Sequence, residues 1–218
     1  MSAQPYRIRR SQRARRIRVS VDNNGEIEVV LPARSPERHA EQAVRELAPW
    51  IARRRQAVAA AAREVGRAPG TVPYLGETLT LVPERGRTQV RRVGDRLLIP
   101  EGEDAREALE RWYRRRARVE VIPRLDAACA RAGSRYNGLT IRGQKTRWAS
   151  CSSSGAMSFN WRLLLAPPEI LDYVVEHEVA HLEVMDHSPR FWALLASRSP
   201  RWREHSAWLK RYGSTLTL

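Results

Sequence analysis

The stretch Val174-Val175-Glu176-His177-Glu178-Val179-Ala180-His181 constrains this chain more than any other. Two histidines four residues apart, with a glutamate directly after the first, spell H-E-x-x-H. On a helix of about 3.6 residues per turn, His177 and His181 stack on one face roughly one turn apart. That spacing lets both imidazoles hold a single cation, and zinc is the ion such ligands suit. Glu178 stands about 100° round the helix from His177, outside the ligand row but placed to reach a water on the ion. Zinc draws the pKa of such a water towards roughly 7, and a carboxylate beside it takes the proton as the water attacks a carbonyl. Ile170, Leu171, Val174, Val175, Val179 and Leu182 form an apolar stripe at helical spacing, and Pro167-Pro168 supplies a helix start. The helix is expected to run from there to about Met185-Asp186, buried along its apolar side. Burying a His-Glu-His cluster is costly unless something pairs with it.

A catalytic zinc site generally takes three protein ligands and leaves one position open. His187, six residues after His181, is the expected third, with Glu183, Asp186, Glu204 and His205 as rivals. Its spacing is that of the third metzincin histidine, although Val184 stands where that pattern has glycine and no Met-turn follows. Asp186 also fits as a residue that orients a histidine from behind.

Four segments carry a family likeness. They are Lys145-Thr146-Arg147-Trp148-Ala149-Ser150-Cys151-Ser152, then Asn160-Trp161, then Asp172-Tyr173-Val174-Val175-Glu176-His177-Glu178, then His187-Ser188-Pro189-Arg190-Phe191-Trp192. Together they resemble the YgjP-like metallopeptidases, zinc hydrolases related at the core to SprT-like and minigluzincin peptidases. The resemblance is strong from about residue 138 to 195 and weaker through the amino-terminal strands. It implies that His177, His181 and His187 bind Zn2+, that Glu178 is the general base, and that the partner is a peptide or protein substrate. Ala149 departs from the family's tryptophan-glycine-serine-cysteine run, and its methyl group would narrow a substrate groove.

Ahead of this region the chain reads as a β-rich platform. Arg7, Arg9, Arg10, Arg13, Arg15 and Arg16 crowd an edge strand or a basic arm. Ile17, Val19 and Val21 alternate with polar residues, Asn23-Asn24-Gly25 signals a turn, and Ile27, Val29 and Leu31 continue on a partner strand. Ser35-Pro36-Glu37 reads as a helix start, Pro49 restarts or kinks that helix, and Gly66 closes it near Val65. Residues 71 to 100 return to strands, with Gly76 and Gly86 in turns.

Glu101 to Ala132 is a long helical stretch through Pro123, with Arg111, Arg114, Arg115, Arg116 and Arg118 in its middle. Two short strands follow, at about Leu139–Arg142 and Thr146–Cys151, and Ala156–Trp161 pairs with them. By strand addition, Arg147, Trp148, Ala149 and Ser150 are expected to line a substrate groove, with Trp148 also fitting as a core residue. Ser188-Pro189 and Ser199-Pro200 start two further helices, whose aromatic residues are expected to pack on the metal helix. Arg190, Tyr173, Arg147 and Tyr212 are candidates to stabilise a developing oxyanion.

The formal charge of +15, almost all from arginine, raises a nucleic-acid partner as an alternative. Cys129 and Cys151 stand far apart with no Cys-x-x-Cys pattern, which suits a reduced, cytoplasmic setting. Cys151 reads as a small strand residue near the site rather than a ligand or nucleophile. No apolar run approaches the roughly 20 residues a membrane span needs. The expected architecture is mixed α+β: a β-rich portion over residues 1–100, then a zincin-like core over 101–218 whose H-E-x-x-H helix packs on a small sheet.

Overall fold

The computed structural model of the chain describes residues 5–22, 25–102, 104–144 and 147–218. Asn23 and Asn24 of the expected hairpin turn lie outside them, as do Lys145 and Thr146 of the motif run. The chain forms two compact units, one made of residues up to Gly66 with Lys210–Thr217, the other of Arg67–Leu209 with Leu218.

In the first unit, the alternating segments pair as their period requires. Strands β1 (Tyr6–Ser11), β2 (Arg18–Val21) and β3 (Ile27–Pro32) lie in the order β1-β3-β2. β2 and β3 run antiparallel with Val19 opposite Val29. β1 pairs parallel on the free side of β3, so the part of the arginine-rich segment with Arg7, Arg9 and Arg10 is an edge strand, while Arg13, Arg15 and Arg16 follow it outside the strand. Its charges are partly answered, with Arg7, Arg9 and Arg10 reaching Glu26, Glu28 and Glu37. Ile27, Val29 and Leu31 bury against Ala40 and Val44 of helix α1 (Arg38–Glu46) and Ile51 of α2 (Ala48–Val65).

Helix α1 begins at Arg38, not at the Ser35-Pro36 signal. Glu37 holds the N-cap position, and the Ser35 carbonyl instead accepts a hydrogen bond from Arg10 Nη1 at 2.9 Å. Gly66 ends α2 in the left-handed conformation, φ 49°, where a Cβ would be strained. Glu64 then receives Arg211 at 2.5 Å and the Tyr212 hydroxyl at 2.8 Å.

The second unit stacks two small sheets around helices. β4 (Thr71–Tyr74), β5 (Glu77–Glu84), β6 (Arg91–Val93) and β7 (Arg96–Pro100) form a sheet in the order β4-β5-β7-β6. Helix α3 (Ala105–Ala132) runs through Pro123 and buries Leu109, Trp112, Tyr113, Val121 and Leu125 along one stripe. Tyr113 sits among Tyr74, Trp112 and Trp161, and its hydroxyl donates to the Pro73 carbonyl at 2.5 Å.

β8 (Gly138–Arg142), β9 (Ala149–Cys151) and β10 (Ala156–Asn160) form the other sheet in the order β8-β10-β9. A 3₁₀ turn over Trp161–Leu165 leads into α4 (Pro168–Ala180), which packs on α3 and on β9. Helices α5 (Pro189–Arg198) and α6 (Trp202–Tyr212) follow. Phe159, Leu164, Leu171, Val179, Phe191 and Leu195 are fully enclosed, so the α4 stripe meets the inner face of the sheet and α5 in one core. The architecture is mixed α+β, with the H-E-x-x-H helix on a small sheet. None of the described helices is long and apolar enough to cross a membrane.

Candidate metal centre

Helix α4 carries His177 in its last turn and closes at Ala180, earlier than the expected Met185. The chain tightens there: the N–H groups of Glu183 and Val184 both donate to the Ala180 carbonyl, at 3.1 and 3.0 Å. His181 keeps helical angles at the C-cap (φ −68°, ψ −17°), so its ring still projects one turn beyond His177. The same turn brings the Val184 carbonyl to 3.1 Å from His181 Nδ1. With Nδ1–H donating to that carbonyl, the Nε2 lone pair of His181 is free to bind a cation.

The loop after this turn swings His187 back over α4. Its Nε2 faces His177 Nε2 at 3.1 Å, and one nitrogen from each of His177, His181 and His187 falls within 4.8 Å of the others. Burial, then His181 and His187, push His177 down to about 4, and burial lowers His181 as well. His177 and His181 are therefore suited to be neutral at pH 7, and the three rings bring one nitrogen each to a common point. A set of three imidazole nitrogens fits a borderline divalent cation such as zinc.

Two contacts hold the third histidine's loop. Asp186 Oδ1 accepts the Ser188 backbone N–H at 3.2 Å, and hydrogen bonds to Ser188 keep its carboxyl below the usual range. Phe191, fully buried on α5, stacks on His181 at 4.5 Å and meets His177 and His187 edge-on at 4.9 and 4.8 Å. One phenyl ring thus touches all three imidazoles. Trp192 lies 5.4 Å from His187 and stacks on Trp202 at 4.6 Å.

Glu178 accepts a hydrogen bond from the Cys151 backbone amide of β9 and is 6% exposed. Burial raises its carboxyl to about 7, while the Cys151 backbone amide and the charge of Arg147 pull it back down. The sheet register accounts for that amide. Asn160 N–H donates to the Trp148 carbonyl and Ser152 N–H to the Ala156 carbonyl, so Trp148, Ser150 and Ser152 face β10. Ala149 and Cys151 then turn their backbone groups to the open edge.

The expected groove residues occupy this edge unequally. Arg147 is exposed, Trp148 is half-buried rather than core, and the Ser150 hydroxyl is tied to Ser158 at 2.9 Å. The strand itself is shorter than expected, beginning at Ala149. Burial and Glu178 push the Cys151 thiol up to about 11, which keeps it protonated and a poor ligand.

The rival ligands are placed elsewhere. Glu183 pairs with Arg198, Glu204 with Arg201 at 2.8 Å, and His205 lies beside Tyr173 with ring centroids 5.9 Å apart. Of the oxyanion candidates, the Tyr173 hydroxyl bonds Ser206 and the Tyr212 hydroxyl donates to Glu64, whereas Arg190 is exposed at the start of α5. The Val184 carbonyl and the Phe191 clamp were not evident from sequence. A backbone acceptor leaves no side-chain signature, though an aromatic residue four positions after His187 was a usable hint.

Comparison with known proteins gives the family. The YgjP-like metallopeptidase domain model matches residues 15–212. No curated protein matches the chain. Among solved structures, the metallopeptidase zymogen of Pyrococcus abyssi abylysin is 25% identical, covering 43% of this chain and 95% of that chain at a TM-score of 0.39. Because the family match takes in β2 and β3 as well as the histidine cluster, most of the chain, the chain belongs to the YgjP-like metallopeptidase family.

Proposed function

We propose that the chain is a zinc peptidase in which His177, His181 and His187 hold the ion and Glu178 moves the proton. The observation that carries this reading is the convergence of three imidazole nitrogens within 4.8 Å beside a buried carboxyl that lies outside their row. When bound, zinc lowers the pKa of a water and polarises the carbonyl to be cleaved. Glu178 accepts the proton of the attacking water and hands it to the leaving nitrogen. Its burial supports that task, because a carboxyl raised to about 7 exchanges protons readily near neutral pH. The Cys151 amide fixes the carboxyl's position, and the shell of Phe191 and Val179 keeps bulk water from the histidines' buried side.

The open edge of β9 supports an extended peptide as substrate. Ala149 offers its outward backbone groups for strand addition, and Arg147 and Trp148 flank them, while Ser150 anchors the strand to β10 through Ser158. The arginine-rich surface has no comparable support as a nucleic-acid anchor. Arg7, Arg9, Arg10, Arg111, Arg114 and Arg116 are ion-paired with glutamates.

The test is hydrolysis of an unfolded protein, read as new amino termini by mass spectrometry. Cleavage is expected with the zinc-loaded chain, abolished by chelation and restored by adding zinc back. Cleavage that survives chelation would contradict the reading.

A further inference from the structure

The loop that leads into β9 is received, carbonyl by carbonyl, at the far end of β10. Arg162 Nη1 donates to the Gly143 carbonyl at 3.2 Å. Asn160 Nδ2 donates to the Gln144 carbonyl at 2.7 Å and to the Arg147 carbonyl at 3.2 Å. The Asn160 backbone N–H reaches the Trp148 carbonyl, also at 2.7 Å. Gly143 lies so close to its neighbours that a Cβ there would stand 2.6 Å from Arg114 Nη2 and 2.9 Å from Trp161 Nε1. Two segments of the family likeness, Arg147-Trp148 and Asn160-Trp161, thus meet through one residue.

Asn160 is 3% exposed, and its side-chain amide is fully used. Both protons of Nδ2 go to the loop, while Oδ1 accepts the Arg162 N–H at 3.1 Å and caps the 3₁₀ turn that precedes α4. A buried polar group with every partner in place is held rigidly. What it holds is a bend. In an extended strand, successive carbonyls point to opposite sides. Here the carbonyls of Arg147 and Trp148 both turn to Asn160, so the chain bends at Trp148 and β9 begins only at Ala149. The Trp148 carbonyl shares a planar trans peptide with the Ala149 N–H, and the two point opposite ways. Holding that carbonyl on the Asn160 side therefore aims the Ala149 N–H outward, at the open edge.

We propose that Asn160 is a positioning residue for substrate binding, its side chain holding the Arg147-Trp148 bend so that the Ala149 backbone meets an extended peptide. The proposal rests on the peptidase reading and on strand addition at β9. Its effect falls on binding rather than on chemistry, because the bend stands at the entry to the edge and Glu178 is met further along, at Cys151.

The test is steady-state cleavage, by the zinc-loaded full chain, of a fluorogenic peptide copied from a site that the native chain cuts in an unfolded protein. Asn160→Asp and Asn160→Ser both keep an oxygen to accept the Arg162 N–H, so the turn before α4 keeps its cap. Neither has two protons to give the loop. Each is expected to raise KM at least about tenfold, with kcat per bound zinc within about threefold of native. Arg162→Met keeps a stem over the Trp161 ring and removes the tie to Gly143, and it is expected to raise KM by a smaller factor. That variant decides the matter if the Asn160 variants do not fold. A role in fold stability alone would lower the melt and the active fraction and leave KM at the native value. Native KM in every folded variant would therefore overturn the proposal, as would a loss confined to kcat per zinc. A native chain that cleaves nothing would sink the peptidase reading and this proposal with it, whereas native cleavage with unchanged KM in the variants sinks this proposal alone.

Discussion

Glu178→Gln is expected to lower kcat/KM for peptide hydrolysis by about 10²–10⁴-fold while metal content stays at the native level. Glutamine keeps the volume of the side chain and can still accept from the Cys151 amide, so the fold around β9 and α4 has no reason to change. What it loses is the capacity to carry a proton. Because Glu178 is about 100° round the helix from His177, removing its charge takes nothing from the ligand set. Steady-state kinetics beside metal analysis separates the two effects. Activity within about tenfold of native would remove Glu178 from the role of base, and loss of metal would make it a ligand instead.

Phe191→Ala carries the second large effect. Its ring is fully enclosed and lies within 4.9 Å, centroid to centroid, of His177, His181 and His187. Truncating a buried phenylalanine costs about 3–5 kcal/mol, and here the cavity would open directly beneath the three imidazoles. Loosened rings hold a cation less well, and losing a residue that orients metal ligands weakens binding by about 10–100-fold. Thermal melting and a competition titration against a chelator read the two losses. A large fall in stability with native metal affinity would show that Phe191 only fills space. Phe191→Leu, which retains most of the volume, is expected to fall between the two.

Much of this arrangement was legible in the residues themselves. Strict alternation through Ile17–Leu31 specified the β2–β3 hairpin, and the period of Ile170 to Val179 placed His177 and His181 on one face of a buried helix. Proline after serine marked the start of α5, although the Ser188 hydroxyl accepts no capping hydrogen bond from the first turn. Other features lay beyond local signals. Nothing in Leu182-Glu183-Val184-Met185 is a helix breaker, yet α4 ends at Ala180 because the following amides fold back onto that one carbonyl. The Ser35-Pro36 start failed for a comparable reason, with a distant arginine on β1 taking the Ser35 carbonyl. The tie between Cys151 and Glu178 depends on the register of β9 against β10, which is a long-range pairing.

Metal content per chain, measured on protein purified without chelators, tests the central claim most directly. The account predicts one equivalent of zinc in the native chain and in Glu178→Gln, and essentially none in His177→Ala, His181→Ala or His187→Ala. A native chain without tightly bound metal, or a His187→Ala variant that keeps a full equivalent, would contradict it.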